Sequence, residues 1–165
     1  MRKNRKNNNL RNIVVYKDYM ENALSSCLIQ HGNTKVICSA TFDSKVPRWL
    51  KGKGKGWITA EYAMLPTATK DRNDRESSRG KLSGRTQEIQ RLIGRSLRNV
   101  CDLKLLRENL IKIDCDVISA DGGTRTASIN GAWIALKLAF DKLIKERVIN
   151  ESPLKQGLSA ISCGI

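Results

Sequence analysis

Residues 111–118 alternate with period two, Ile111, Ile113, Cys115 and Val117 against Lys112, Asp114 and Asp116, and the chain then runs through Asp121-Gly122-Gly123-Thr124-Arg125 into an apolar period of 3.6. The first pattern predicts a half-exposed strand. The second predicts a long helix, marked by Ile129, Ala132, Trp133, Leu136, Phe140, Leu143 and Ile144. A strand that hands over to a helix through two glycines commits the chain to a fold of mixed strand and helix. The junction also suits an anion: glycine lets backbone N–H groups approach oxygen closely, and a helix start carries partial positive charge. Thr124 can donate its hydroxyl, and Arg125 brings a full charge. The same residues also make an ordinary helix cap, so the residues alone leave both readings open. The spacings of a Walker loop or a dinucleotide fingerprint are absent.

Leu10 to Tyr19 reads as an early strand centred on Ile13, Val14 and Val15. Ser25 to Gln30 and Thr34 to Thr41 are β-prone runs on either side of His31-Gly32-Asn33, a hairpin signal in which His31 reads as a solvated turn residue. Residues 51–56 alternate lysine with glycine and predict a flexible basic loop, after which Trp57 to Leu65 returns to a strand pattern ended by Pro66. Gly84 to Cys101 is the clearest helix, with Ile89, Leu92, Ile93, Leu97, Val100 and Cys101 as its buried stripe and Arg91, Arg95 and Arg98 on another face. Arg85 stands at its start, where free backbone N–H groups favour an anion. After Pro153, Leu158 to Ile165 reads as a further apolar strand. Strands followed by strand–helix alternation predict one α+β domain spanning 1–165, a mixed sheet with two long helices.

Charge narrows the function classes. Thirty Lys and Arg against 16 Asp and Glu leave +14, a surplus that attracts polyanions. It is concentrated: residues 48–98 carry 13 basic and 5 acidic side chains, whereas 99–165 carry 9 and 8. Within 67–83, a loop without apolar periodicity, Lys70, Arg72, Arg75, Arg79 and Lys81 read equally as a solvated linker and as an arm that grips RNA. Residues 1–9 read as a short basic arm, without the apolar segment of a secretory signal. No apolar run is long enough to cross a bilayer. The five cysteines form no CxxC pair, and His31 is the single histidine, so a zinc site has almost no ligands to draw on. All five cysteines read as small apolar residues of a cytoplasmic, reducing compartment. Asp114 and Asp116 share a strand face, where a solvated or salt-bridged role is the simpler reading than a metal site.

Four blocks, HGNTKVICSA (31–40), KGWITAEYAMLP (55–66), GRTQEIQRLIGRSLR (84–98) and IDCDVISADGGTRTASINGA (113–132), closely resemble the ribonuclease PH family. The likeness runs in register from about Leu10 to Ile165, and four long blocks are far more specific than one glycine motif. It implies a fold like the second domain of a small-subunit ribosomal protein and assembly into a hexameric ring. It implies phosphorolysis: inorganic phosphate, as co-substrate, attacks the terminal 3′ phosphodiester of tRNA precursors and other RNA, releasing nucleoside diphosphates. Carried over by motif, the catalytic, phosphate-binding residues are Arg85 and Arg125, with Gly123 and Thr124 completing the cradle, and Arg72, Arg75 and Arg79 contact RNA. Where relatives usually have Glu-Gly-Ser, this chain has Leu24-Ser25-Ser26. Relatives also continue past the position of Ile165, through an acidic segment assigned to magnesium, so the domain is expected to be incomplete at its C-terminus and the magnesium ligands to lie outside this chain. A non-catalytic RNA-binding or ring-building subunit of the same fold is the rival reading. A free basic protein of the ribosomal type is a third, which explains the charge but not the blocks.

Overall fold

The computed structural model describes residues 6 and 8–163; most of the basic arm, and the last two residues of the final predicted strand, lie outside the described residues. Five strands and two long helices follow one another as β1 (Ile13–Lys17), β2 (Ser25–His31), β3 (Thr34–Asp43), β4 (Trp57–Met64), α1 (Gly84–Asn99), β5 (Leu110–Ser119) and α2 (Thr124–Lys145). They form one mixed sheet in the order β1-β2-β3-β5-β4. The first three strands and β5 pair antiparallel, whereas β4 and β5 run parallel because α1 carries the chain back between them. The hairpin turn is Gly32-Asn33, with His31 opposite Thr34 as the last pair of the ladder.

Alternation along the strands sends Cys27, Ile29, Val36, Cys38, Ile58, Tyr62, Ile113, Cys115 and Val117 to one face, where α1 and α2 cover them. In α1 the inward stripe is Ile89, Ile93 and Leu97, with Leu92 only partly buried. Each buried aliphatic side chain contributes roughly 1.5–3 kcal/mol relative to exposure. Helix α2 sits unusually close to the sheet. A Cβ at Gly131 would lie 2.6 Å from Cys38 Sγ and 2.8 Å from Ile29 Cγ2, so only glycine lets the helix approach this far. Cys27, Cys38 and Cys115 stand in register on three neighbouring strands beneath it, with Cys38 and Cys115 Sγ 3.7 Å apart.

The opposite sheet face carries Glu61, Asp114 and Asp116, with Glu61 and Asp114 directly paired across the parallel strands. Burial, followed by the charge of Glu61, pushes both aspartates above the ordinary aspartate value, and each adds to a cluster with no ion-pair partner among the described residues. They are not salt-bridged.

Residues 67–83 form a loop, pinned where Asn73 N–H donates to the Pro66 carbonyl and Ala120 N–H to that of Ala68, with a 3₁₀ turn at Glu76–Arg79. Three sequence expectations change. The stretch 158–163 forms no strand; Asn130 holds it, donating to the Ala160 carbonyl at 3.0 Å and accepting from its N–H at 2.7 Å, and Thr126 Oγ1 lies 3.5 Å from Ser162 Oγ. Cys163 is exposed, unlike the other four cysteines. His31 ends a strand rather than occupying the turn: its Nε2 is buried without a hydrogen-bond partner, and burial, aided by the Arg11 charge, lowers its pKa.

Candidate functional site

The glycine junction is held from below. Thr34 Oγ1 accepts from Asp121 N–H at 2.9 Å and donates to the Gly122 carbonyl at 2.7 Å. Arg11 Nη1 donates to the Asp121 carbonyl at 2.6 Å and to that of Gly122 at 3.2 Å. With these carbonyls engaged, the backbone turns through two left-handed residues, Gly122 (φ +78°) and Gly123 (φ +73°), which glycine adopts without steric cost. Gly123 then serves as N-cap of α2 and has no side chain with which to cap it. The first helical bond is Ala127 N–H to the Gly123 carbonyl, so the N–H groups of Thr124, Arg125 and Thr126 have no acceptor within the helix.

The two side chains at this start face different ways. Thr124 is buried, and its Oγ1 accepts from the Tyr62 hydroxyl at 3.0 Å. Its hydroxyl proton and its backbone N–H are what it can offer a ligand. Arg125 reaches across to α1, where its Nη2 donates to Glu88 Oε2 at 2.6 Å. Its Nε is buried and has no hydrogen-bond partner. Glu88 lies one helical turn after Arg85, whose exposed side chain has no ion-pair partner among the described residues. The structure therefore brings Arg85 and Arg125 to neighbouring helix starts, with Glu88 bound to Arg125 alone.

The start of α1 is built differently from the expectation of free N–H groups. Ser83 Oγ accepts from Thr86 N–H at 3.1 Å, and Thr86 Oγ1 donates to Glu76 Oε1 at 2.7 Å. Burial pushes Glu76 up, but hydrogen bonds from Ser83 and Thr86, helped by the charge of Arg79, outweigh it and hold its carboxyl below the ordinary glutamate value. A cap and a carboxylate already occupy that positive end.

The remaining arginines separate. Arg72 and Arg79 both pair with Asp74, at 3.6 and 2.8 Å, while Arg75 is exposed without an ion pair among the described residues. Arg91 and Arg95 are exposed. Arg98, placed with them by its spacing, instead lies 4.4 Å over the Trp57 ring and donates to the Ile58 carbonyl at 2.7 Å, a packing role. Tyr62, Glu88, Glu76, Thr34 and Arg11 were not foreseen as parts of the site. Of these only Glu88 carried a signal, its i+3 spacing from Arg85. Among the described residues no group of three His, Cys, Asp or Glu side chains is arranged to hold a metal ion, and no helix is long and apolar enough to cross a membrane.

The family model described as the 3′ exoribonuclease family, domain 1 (RNase_PH), matches residues 9–140. A ribonuclease PH of Geobacillus sp. (strain WCH70) is 58% identical over 161 residues, covering 98% of this chain and 63% of that protein. A ribonuclease PH of Bacillus cereus (strain AH187) is 55% identical over 161 residues, covering 98% and 66%. The chain thus spans just under two thirds of the length of these relatives. Among solved structures, rice (Oryza sativa) Rrp46 superimposes with a TM-score of 0.67 at 19% identity, over 92% of this chain and 62% of that one. A chain of an Archaeoglobus fulgidus exosome with RNA bound to the active site gives 0.68 at 21% identity, over 80% and 53%. These likenesses show the fold.

Proposed function

Because the chain belongs to the RNase_PH family of 3′ exoribonucleases, we propose that it carries the phosphate-holding part of a phosphorolytic 3′-to-5′ exoribonuclease, a nucleotidyltransferase acting on the 3′ ends of tRNA precursors and other RNA. The observation that carries this reading is the uncapped start of α2, with Arg125 beside it and Arg85 on the adjoining helix. Inorganic phosphate seated there would receive the backbone N–H groups of the first turn and the Thr124 hydroxyl proton, which the Tyr62 hydrogen bond leaves undonated. Gly123 lets the backbone approach the oxygens, and the two guanidiniums neutralise charge that would otherwise keep a phosphate and an RNA end apart. The phosphate oxygen attacks the terminal phosphorus, the bond to the penultimate ribose O3′ breaks, and a nucleoside diphosphate leaves an RNA one residue shorter. Catalysis on these terms is positioning and charge neutralisation, and it needs no Ser, Cys or His nucleophile.

Arg72, Arg75 and Arg79, exposed in the loop before α1, are the proposed RNA contacts. Assembly into the ring of the family and a cytoplasmic location belong to the same proposal. The described residues do not fit a magnesium site. The test supplies the purified chain with tRNA bearing a 3′ extension, magnesium and inorganic phosphate. Nucleoside diphosphates are expected; nucleoside monophosphates, or turnover independent of phosphate, would overturn the mechanism. RNA held without turnover would favour the non-catalytic reading.

A further inference from the structure

Arg125 has a ligand already. Its Nη2 is bound to Glu88 Oε2 at 2.6 Å, while its Nε–H is buried with nothing to donate to. A guanidinium grips a phosphate as a fork, through two adjacent N–H groups. In this pose Nη2 is bound to a carboxylate and Nε is turned inward, so the Nε–Nη2 fork of Arg125 is not open to a ligand at the start of α2. The pose is also poorly satisfied, because a buried N–H without an acceptor is costly. Both partners are about half exposed, 42% for Arg125 and 52% for Glu88, and ion pairs of that kind are weak enough to exchange.

We propose, resting on the phosphate reading above, that Glu88 is a resident anion for Arg125: an internal surrogate that phosphate must displace, and whose hold sets the affinity of the cradle for phosphate. On binding, the guanidinium leaves Glu88, turns its fork toward the oxygens and pairs the orphaned Nε–H. On release of the diphosphate product, Glu88 takes the guanidinium back, so the charged side chain is never left without a partner. Arg85 lies one turn before Glu88 on the same helix.

The test is calorimetric titration of the full 165-residue chain with inorganic phosphate. Glu88→Gln removes the charge of the surrogate, whereas Glu88→Asp keeps the charge but shortens its reach by one methylene. Exchange requires both variants to bind phosphate more tightly, by about two- to fivefold, the range of an exposed ion pair. Tightening in Glu88→Gln alone would reduce Glu88 to a distant charge and overturn the proposal. Unchanged or weaker binding in either variant would do the same, the latter meaning that Glu88 holds Arg125 in its binding pose. Arg125→Ala separates this from the underlying reading. If that variant binds phosphate as well as the parent, the cradle itself is misassigned; if it loses phosphate while the Glu88 variants gain nothing, only the exchange fails.

Discussion

The two helices begin side by side and finish their first turns in opposite ways. At α1 the side chain of Ser83 takes the Thr86 N–H, and Glu76 brings a carboxylate to the positive end. At α2 the cap is Gly123, no side chain accepts from the first N–H groups, and the Glu88 carboxylate is held at the tip of Arg125 rather than at the backbone. The two caps differ in backbone as well as side chain, Ser83 extended (φ −66°, ψ 156°) and Gly123 left-handed (φ 73°, ψ 21°), so that one start is closed by a side chain and the other is not.

If that division is right, damage at the two starts must be read by different instruments. The largest effect is expected at α2. Arg125→Ala should lower phosphate-dependent turnover on the order of a hundredfold, the scale of losing one preorganised charge-stabilising donor, with a much smaller loss of RNA retention in a filter-binding assay. Comparable losses in both would remove Arg125 from the phosphate contact. Ser83→Ala acts on the closed start and should cost about 1 kcal/mol, or roughly 2–4 °C in Tm for a chain of this size. Its phosphate affinity should stay at the parental value; a drop would mean that the α1 start also holds the anion.

The smallest effect concerns pH. The carboxyl of Glu76 sits below its ordinary value in the folded chain, so the unfolded chain binds more protons between the two values. Its stabilisation is therefore present above the ordinary glutamate value of about 4.3 and fades as pH falls toward the folded one. Tm measured against pH should lose part of its acid slope in Glu76→Gln. An unchanged slope would show that the carboxylate does not contribute to closing α1.

Much of the fold was legible because it rests on periodicity. The alternation at 111–118 gave β5 its faces, and Ile89, Ile93 and Leu97 marked the buried side of α1 at the spacing observed. The blocks that resemble a known family pointed to Arg85 and Gly123–Arg125, and the structure sets these on adjoining helices. What periodicity could not carry was pairing at a distance. Tyr62 meets Thr124 only because β4 and β5 run parallel in one register, and Glu88 meets Arg125 only because the two helices pack together. Arg98 shows the same limit from the other side: its spacing groups it with Arg91 and Arg95, yet Trp57, from a distant strand, draws it inward.

The carboxylates on the uncovered sheet face give the charge of the molecule a direction. Glu61, Asp114 and Asp116 point away from the helices, while Arg85, Arg91 and Arg95 lie exposed on the helix layer. A net +14 spread evenly would draw a polyanion in from any side. On the proposed function, charge divided in this way would favour approach of an RNA strand at the arginine flank over the carboxylate flank, within roughly the 8 Å screening length of physiological salt, and raising the salt concentration would blunt that preference.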